Sequence, residues 1–266
     1  MRIATWNVNS IGARIERVVE WLESAAPDVV ALQELKCTNE AFPLMPIQGL
    51  GYEAATLGTG RWNGVALLSK IGLEDVTLGL TNQPQFEGAD EPRAIGATCG
   101  GLRMWSLYVP NGREPDHAHY AYKLEWLAAL KATAAAELAA YGDLPYALTG
   151  DFNIAPRDED VWDISLFESS THVTPAERAA LADVQSVGLS EVMPRALKGE
   201  PYTFWDYRNG AFHRGWGMRI DLVLGNAVFM GAVQDAYVDR EARKGKGASD
   251  HAPVVVDLDD ALLGAA

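Results

Sequence analysis

Residues 28–33 form a short Val/Ala/Leu run that ends at Gln33 and is followed at once by Glu34. The run is too short for a helix and lacks the polar alternation of a surface strand, so it reads as a strand buried on both faces. Val65–Ser69 is a second such run, announced by the turn signal Asn63–Gly64. Strands of this kind need covering layers above and below, which confines the chain to stacked sheets and helices.

The remaining pattern fits that constraint. Arg2–Asn7 opens the chain as a strand, residues 93–98 and Leu102–Tyr108 flank Gly100–Gly101 as a hairpin, and residues 146–149, 219–224 and 253–258 are further strands. Residues 14–25 place Ile15, Val18, Val19 and Leu22 on one helical face, and Pro27 ends the segment. Residues 119–141 repeat Leu124, Leu127, Ala134, Leu138 and Tyr141 at helical steps and stop at Gly142, and residues 175–187 are a third helix. Helices and strands alternate irregularly, with hairpins between, which favours mixed sheets covered by helices over a pure βαβ repeat. The strand–helix–strand opening has a distant echo after Leu102, without an exact sequence repeat. No Pro- or Ser-rich tract divides the chain, so residues 1–266 are read as one α/β domain.

A domain of this size buries a core without staples. The two cysteines, Cys37 and Cys99, make neither a disulfide framework nor a zinc site. The sequence has no secretory leader pattern and no run of about 18 apolar residues, so the expectation is a cytoplasmic protein with no membrane contact. Net charge is −14, from 22 Lys and Arg against 36 Asp and Glu. That balance argues against a nucleic-acid partner, whose binding rests on phosphate contacts. Its distribution softens the objection. Residues 208–219 hold Arg208, Arg214 and Arg219 with no acid, and residues 240–246 hold four basic residues and one acid, so a positive rim on an acidic body is expected.

Polar groups sit just past the apolar strands: Asn7, Glu34, Tyr108, the pair Asp151 and Asn153, and Asp250–His251 ahead of the last strand. Strand ends are where open sheets place ligands. Each residue has a structural alternative. Asn7 is a good helix cap, Tyr108 a core aromatic with a wet hydroxyl, Glu34 a solvated loop acid, and Asp151 with Asn153 an Asx turn. His251 could be a buried structural histidine. Together they make a set of hard oxygen donors with a base, suited to an oxygen-rich substrate beside a hard metal ion.

Leu32–Gln33–Glu34–Leu35–Lys36–Cys37, Gly150–Asp151–Phe152–Asn153–Ile154–Ala155–Pro156, Tyr202–Thr203–Phe204–Trp205–Asp206–Tyr207–Arg208, Arg219–Ile220–Asp221 and Ser249–Asp250–His251–Ala252–Pro253 resemble the signature blocks of the exonuclease III family of AP endonucleases, in the endonuclease/exonuclease/phosphatase superfamily. They occur in the family's order from residue 1 to about 258. The resemblance implies a four-layer α/β sandwich, with two mixed sheets face to face and helices outside. It also implies Mg²⁺ or Mn²⁺, and a DNA-repair phosphodiesterase cleaving 5′ to abasic sites with 3′→5′ exonuclease and 3′-phosphatase activity on double-stranded DNA. The substrate partner is then duplex DNA with abasic sites or blocked 3′ ends, with no obligate protein partner.

On that basis Glu34 is the main metal ligand, with Asp151, Asp250 and the amides Asn7 and Asn153 nearby. Asp151 orients or deprotonates the attacking water. His251, bonded to Asp221, donates to a phosphate oxygen or shares the base role, and Asn153 and Tyr108 stabilise the pentacovalent charge. Phe204, Trp216 and Ile220 match the pocket for a flipped, base-free sugar. Lys36, Trp62, Asn63, Arg93, Asn111 and Lys123 are further substrate-binding candidates, most of them for the DNA backbone. Asn9 stands where some relatives carry an Asp, Ser10 where a Gly is common, and the stretch 215–219 is longer by two residues than in some members. Two rival readings are a superfamily hydrolase acting on RNA or a small phosphorylated substrate, and a catalytically silent DNA-binding relative.

Overall fold

The computed structural model describes residues 1–263, so the last three residues of the expected domain lie outside the described residues. Its strands, in chain order, are β1 (Arg2–Asn7), β2 (Val29–Gln33), β3 (Glu53–Leu57), β4 (Val65–Ser69), β5 (Glu74–Leu78), β6 (Ala94–Cys99), β7 (Leu102–Tyr108), β8 (Tyr146–Asp151), β9 (Ser190–Glu191), β10 (Arg195–Ala196), β11 (Asp221–Gly225), β12 (Val233–Val238) and β13 (Val254–Leu258). Seven form one sheet in the order β10-β12-β13-β1-β2-β4-β3, and six form a second in the order β5-β6-β7-β8-β11-β9. Both are mixed. β1 runs parallel to β2 and antiparallel to β13, while β7 runs parallel to β8, which is antiparallel to β11. The principal helices are α1 (Ile11–Ala25), α2 (Leu44–Gln48), α3 (Ala118–Tyr141), α4 (Pro175–Gln185) and α5 (Ala211–Arg214).

Side-chain alternation explains the layering. Ile3, Val29, Ala31, Val65 and Leu67 of the first sheet pack against Ile95, Ala97, Met104 and Ala147 of the second, and this is the central core. The opposite faces are equally apolar. Ala4, Trp6, Val30 and Leu32 meet Val18, Trp21 and Leu22 of α1. Trp105, Leu107 and Leu148 meet Trp126, Leu127 and Leu130 of α3, with Leu181 and Val184 of α4. The expected four-layer sandwich is the fold. β2 and β4 are buried at every residue, as their unbroken apolar runs require.

The expected strands and helices are all present, and most differences lie at ends. α1 starts at Ile11, where the Ser10 hydroxyl accepts from the Ala13 amide, a cap that hydrophobic spacing does not reveal. β3, β5 and β12 escape notice in the sequence because they are exposed or unevenly covered, β5 at every residue. Without a fully buried face, a strand leaves little periodic signal.

Toward one end of the sandwich the central core turns polar. Gln33 donates to Thr5 Oγ1 and to Ser106 Oγ, both at 3.0 Å, and Ser106 donates to the Leu32 carbonyl. These bonds satisfy groups that apolar packing would leave stranded. They hold the two sheets in fixed relation immediately below the ends of β1, β2, β7 and β8.

Candidate active site

Strand pairing dictates which polar side chains meet. β1 and β2 pair with Asn7 opposite Gln33, so Asn7 and Glu34 emerge together. β7 and β8 pair with Tyr108 opposite Asp151, and β11 brings Asp221 opposite Asp151 from the other side. Gly150 makes the close approach possible. Its φ is +146°, and a Cβ there would lie 1.9 Å from the Leu107 carbonyl oxygen, so only glycine fits. Beyond the strand ends the backbone enters left-handed conformations at Glu34 (φ 55°), Lys36 (φ 52°) and Asn153 (φ 51°). Unfavourable dihedrals grouped in this way are typical of functional sites.

The Asn7 amide donates 2.9 Å bonds to both Glu34 Oε1 and Asp151 Oδ2, tying the two sheets together through their acids. Tyr108 donates its hydroxyl to Glu34 Oε1 at 2.9 Å. Asp151 Oδ1 accepts from the Asn153 backbone N–H, also at 2.9 Å. His251 places Nδ1 2.8 Å from Asp221 Oδ2 and Nε2 3.8 Å from Asp151 Oδ2. The Thr203 hydroxyl accepts from the Ile220 and Asp221 amides, and the Ser249 hydroxyl donates to the Asn7 carbonyl, so the histidine loop is pinned to β1. Ligand atoms of Glu34, Asp151 and His251 all lie within 4.8 Å of one another.

Two carboxyls in one cleft have opposite electrostatics. Burial opposes ionisation of Glu34, but the Lys36 ammonium 2.7 Å away and the Asn7 amide more than offset it and hold the carboxyl below its ordinary range. No lysine pairs with Asp151 among the described residues. Burial pushes it up, His251 opposes, and the Asp221 and Glu34 charges push it further, to about 7. His251 moves the same way for a different reason. Burial lowers it, but Asp221, Asp151 and Asp250 outweigh burial and raise it to about 10. The imidazole is therefore charged at neutral pH, with its Nε2 side toward Asp151.

Hard oxygen donors from both sheets converge on Glu34 and Asp151, which suits a divalent ion such as Mg²⁺. The other candidate ligands are disposed differently. Asp250 belongs to a neighbouring chain of contacts, in which Asn9 Nδ2 donates to Asp250 Oδ1 and Lys36 donates to Asn9 Oδ1. Asn7 Oδ1 accepts from the Asn9 amide, which leaves its NH₂ for the acids. Asn153 donates to the Val109 carbonyl and accepts from Asn111, so its amide turns toward the loop after β7.

The substrate-binding candidates divide by burial. Trp62 is 65% exposed, with Arg61 over its ring, and Asn63 bonds Glu91. Asn111 is half-buried beside Asn153. Two expectations are corrected. Arg93 is 3% exposed, paired with Glu91 and donating to the Tyr108 carbonyl, so it supports the Tyr108 strand rather than facing a DNA backbone. Lys123 is fully buried, and its ammonium donates to the Asn153 carbonyl at 2.7 Å, the Asn111 carbonyl at 3.2 Å and Glu177 at 2.5 Å. Its helical position gave no hint that the chain folds over it. Lys36 meets Glu34 and Asn9. Phe204 lies 4.9 Å from the His251 ring, and it packs in one apolar cluster with Ile220 and Met218. Trp216 belongs to the adjoining cluster and stacks on Trp162 at 4.8 Å.

Several participants were invisible in the sequence. Glu177 caps α4 in a Thr174–Glu177 capping box and is also the partner of Lys123. The capping-box spacing was readable, but the second role needed the fold. His172, at φ 82°, bonds the Asn153 carbonyl through Nδ1 at 2.6 Å. Burial and the nearby Lys123 push it down to about 4 and keep it neutral. Trp162 emerges only as the stacking partner of Trp216.

The family model described as the endonuclease/exonuclease/phosphatase family matches residues 4–251. The chain is similar to a 3′-5′ exonuclease (NExo) from Neisseria meningitidis, with 36% identity, coverage of 97% of this chain and 100% of that one, and a TM-score of 0.91. It is similar to an AP endonuclease from Archaeoglobus fulgidus, with 33% identity, coverage of 97% and 99%, and a TM-score of 0.90. Exodeoxyribonuclease III of Haemophilus influenzae is 27% identical over 96% of this chain and 98% of its own length. Among the described residues, no helix is long and apolar enough to cross a membrane.

Proposed function

The chain belongs to the endonuclease/exonuclease/phosphatase family, with exonuclease III-type homologues over nearly its full length, and from that premise we propose that it is a metal-dependent DNA phosphodiesterase of base-excision repair. Its reactions are incision 5′ to abasic sites and removal of nucleotides and phosphate groups from 3′ ends of duplex DNA. The observation that carries this is the meeting of Glu34, Asp151 and the Asp221-bound His251 where the two sheets end. The relatives support the substrate class. One is an AP endonuclease, and another, the 3′ phosphatase NExo from Neisseria bound to a product DNA hairpin, is 35% identical to this chain.

Hydrolysis of a phosphodiester needs a water aimed at phosphorus, countercharge on the non-bridging oxygens and relief of charge on the leaving oxygen. Asp151, fixed by the Asn7 and Asn153 amides, orients the water and accepts its proton. A carboxyl raised to about 7 is well matched to that work near neutral pH. The charged His251, held by Asp221, donates Nε2–H to a phosphate oxygen. Asn153, whose side-chain amide retains one N–H beyond its bond to Val109, adds a donor at the edge of the cleft, and the single O–H of Tyr108 joins it by turning away from Glu34. Glu34 and Asp151 would hold Mg²⁺ or Mn²⁺, which when bound supplies Lewis-acid neutralisation of phosphate charge. Phe204 and Ile220, beside His251, form an apolar wall for a base-free sugar, whose extrusion costs least because pairing is already lost.

The deciding experiment uses a duplex carrying one tetrahydrofuran abasic analogue, with Mg²⁺ or with EDTA. Nicking 5′ to the lesion only with metal is the expected result. Binding without nicking identifies a silent relative, and neither binding nor nicking identifies an enzyme of another phosphorylated substrate. A 3′-phosphate primer in the same assay measures end processing separately.

A further inference from the structure

Of the basic segments noted in the sequence, residues 240–246 gather outside the cleft, while Arg219 of the other is buried and paired with Asp160 and Glu191. Residues 240–245 and the turn 206–213 enclose a cavity of about 640 Å³. It is lined by Lys198, Arg240, Arg243 and Lys244, with Asp206 as the carboxylate on its wall. That acid is engaged by Arg208 at 2.6 Å, and Glu241 by Lys244 at 2.6 Å. No carboxylate pairs with Arg240 or Arg243 among the described residues. Arg243 is only 8% exposed, its Nη2 donates to the Trp205 carbonyl, and its Nε has no partner. Aromatic faces hold both guanidiniums in place. Arg240 lies 4.0 Å from the Phe212 ring, and Arg243 lies 5.0 Å from that of Tyr207. In a chain of net charge −14 this gathering of positive charge is costly, and its nearest acids, Asp206 and Glu241, are already engaged by Arg208 and Lys244.

We propose that this cavity is a second phosphate-binding site, which grips the backbone of the substrate duplex away from the cut. The inference rests on the DNA-phosphodiesterase function proposed above. The cavity adjoins the catalytic loop directly. The Trp205 amide donates to the Asp250 carbonyl, the Tyr207 hydroxyl donates to the Ala248 carbonyl, and α5 leads to Trp216 on its other side. A duplex seated with its lesion at His251 therefore has flanking phosphates beside this wall. Planar guanidiniums fixed on rings suit the fork geometry of phosphate oxygens. The site also answers how so acidic a protein holds DNA: affinity comes from a local basic cavity rather than from overall charge.

The test neutralises the two exposed lysines, Lys198→Gln with Lys244→Gln, in the full chain, with Arg240→Gln as a second variant. Binding of a tetrahydrofuran duplex is measured by anisotropy across salt concentrations in EDTA, on a long duplex and on one trimmed to the base pairs around the lesion. The double variant should bind the long duplex about tenfold more weakly. Its log Kd–log salt slope should fall by about 1 to 2, near 0.9 for each phosphate that the protein no longer neutralises. On the trimmed duplex it should match the wild type. Equal affinity and slope on the long duplex would overturn the site, as would an equal weakening on both lengths. A wild-type protein that binds neither duplex overturns the functional proposal and this inference together, whereas a wild type that binds with unaffected variants overturns this inference alone.

Discussion

Two of the parallel strand pairs make the most instructive comparison in the molecule. β1–α1–β2 lies in one sheet and β7–α3–β8 in the other, each with a helix on its outer face. Each pair delivers a hydrogen-bonding side chain from its first strand and a carboxylate from just past, or at the end of, its second: Asn7 with Glu34, and Tyr108 with Asp151. Equivalent positions nonetheless give different chemistry. Glu34 has a lysine two residues on and is held ionised, while Asp151 is sealed among Asp221, Glu34 and His251 and is pushed up to about 7. Topology places the acid, and its neighbours decide whether it acts as a standing anion for a metal or as a group that can trade a proton.

Asp151→Asn should break the second unit most severely, lowering kcat by about 10² to 10⁴-fold, the usual contribution of a general base. Duplex affinity should remain near wild type in a binding assay, and thermal stability at pH 8 should hold or rise, because a buried charge opposed by its surroundings has been removed. Near-normal turnover would end its assignment as base. Glu34→Gln should cost on the order of 100-fold at low Mg²⁺, partly recovered in a Mg²⁺ titration, and should lower thermal stability. Equal thermal shifts in the two variants would erase the contrast between the carboxyls.

Lys123→Met tests the support beneath the second unit. Removing one partner of a buried pair should cost about 3–5 kcal/mol in denaturant unfolding. Activity should fall about tenfold through kcat as Asn153 loosens, and adding Glu177→Gln should recover much of the stability. The pH profile tests the comparison most gently. Without competing effects, activity rises as Asp151 ionises through about 7 and falls as His251 loses its proton near 10. The sign for stability follows from the same shift. His251 is raised above its unfolded value, so its contribution is complete below about 6.5 and is lost as pH climbs through about 10.

Much of this was legible along the chain. β2 and β4 announce themselves because strands covered on both faces need runs of apolar residues. Glu34, Asp151 and His251 were legible because each follows or adjoins such a strand. Lys123 was not. A lysine on a long helix has the same local pattern whether it faces water or, as here, lies beneath Asn153 with Glu177. Arg93, just ahead of β6, carries no local sign either of its burial against the Tyr108 carbonyl. Trp162 and His172 had no local signal either, since their partners lie 54 and 19 residues away.

The sequence by itself determined the layers, the strand ends and the types of chemical group placed there, because these follow from the local spacing of apolar and polar residues. Only the tertiary structure decided which carboxyl stays ionised, which lysine is sealed inside and where the positive charge collects. Those properties depend on desolvation and on charges a few ångströms away in space, and such neighbours can be any distance away in sequence.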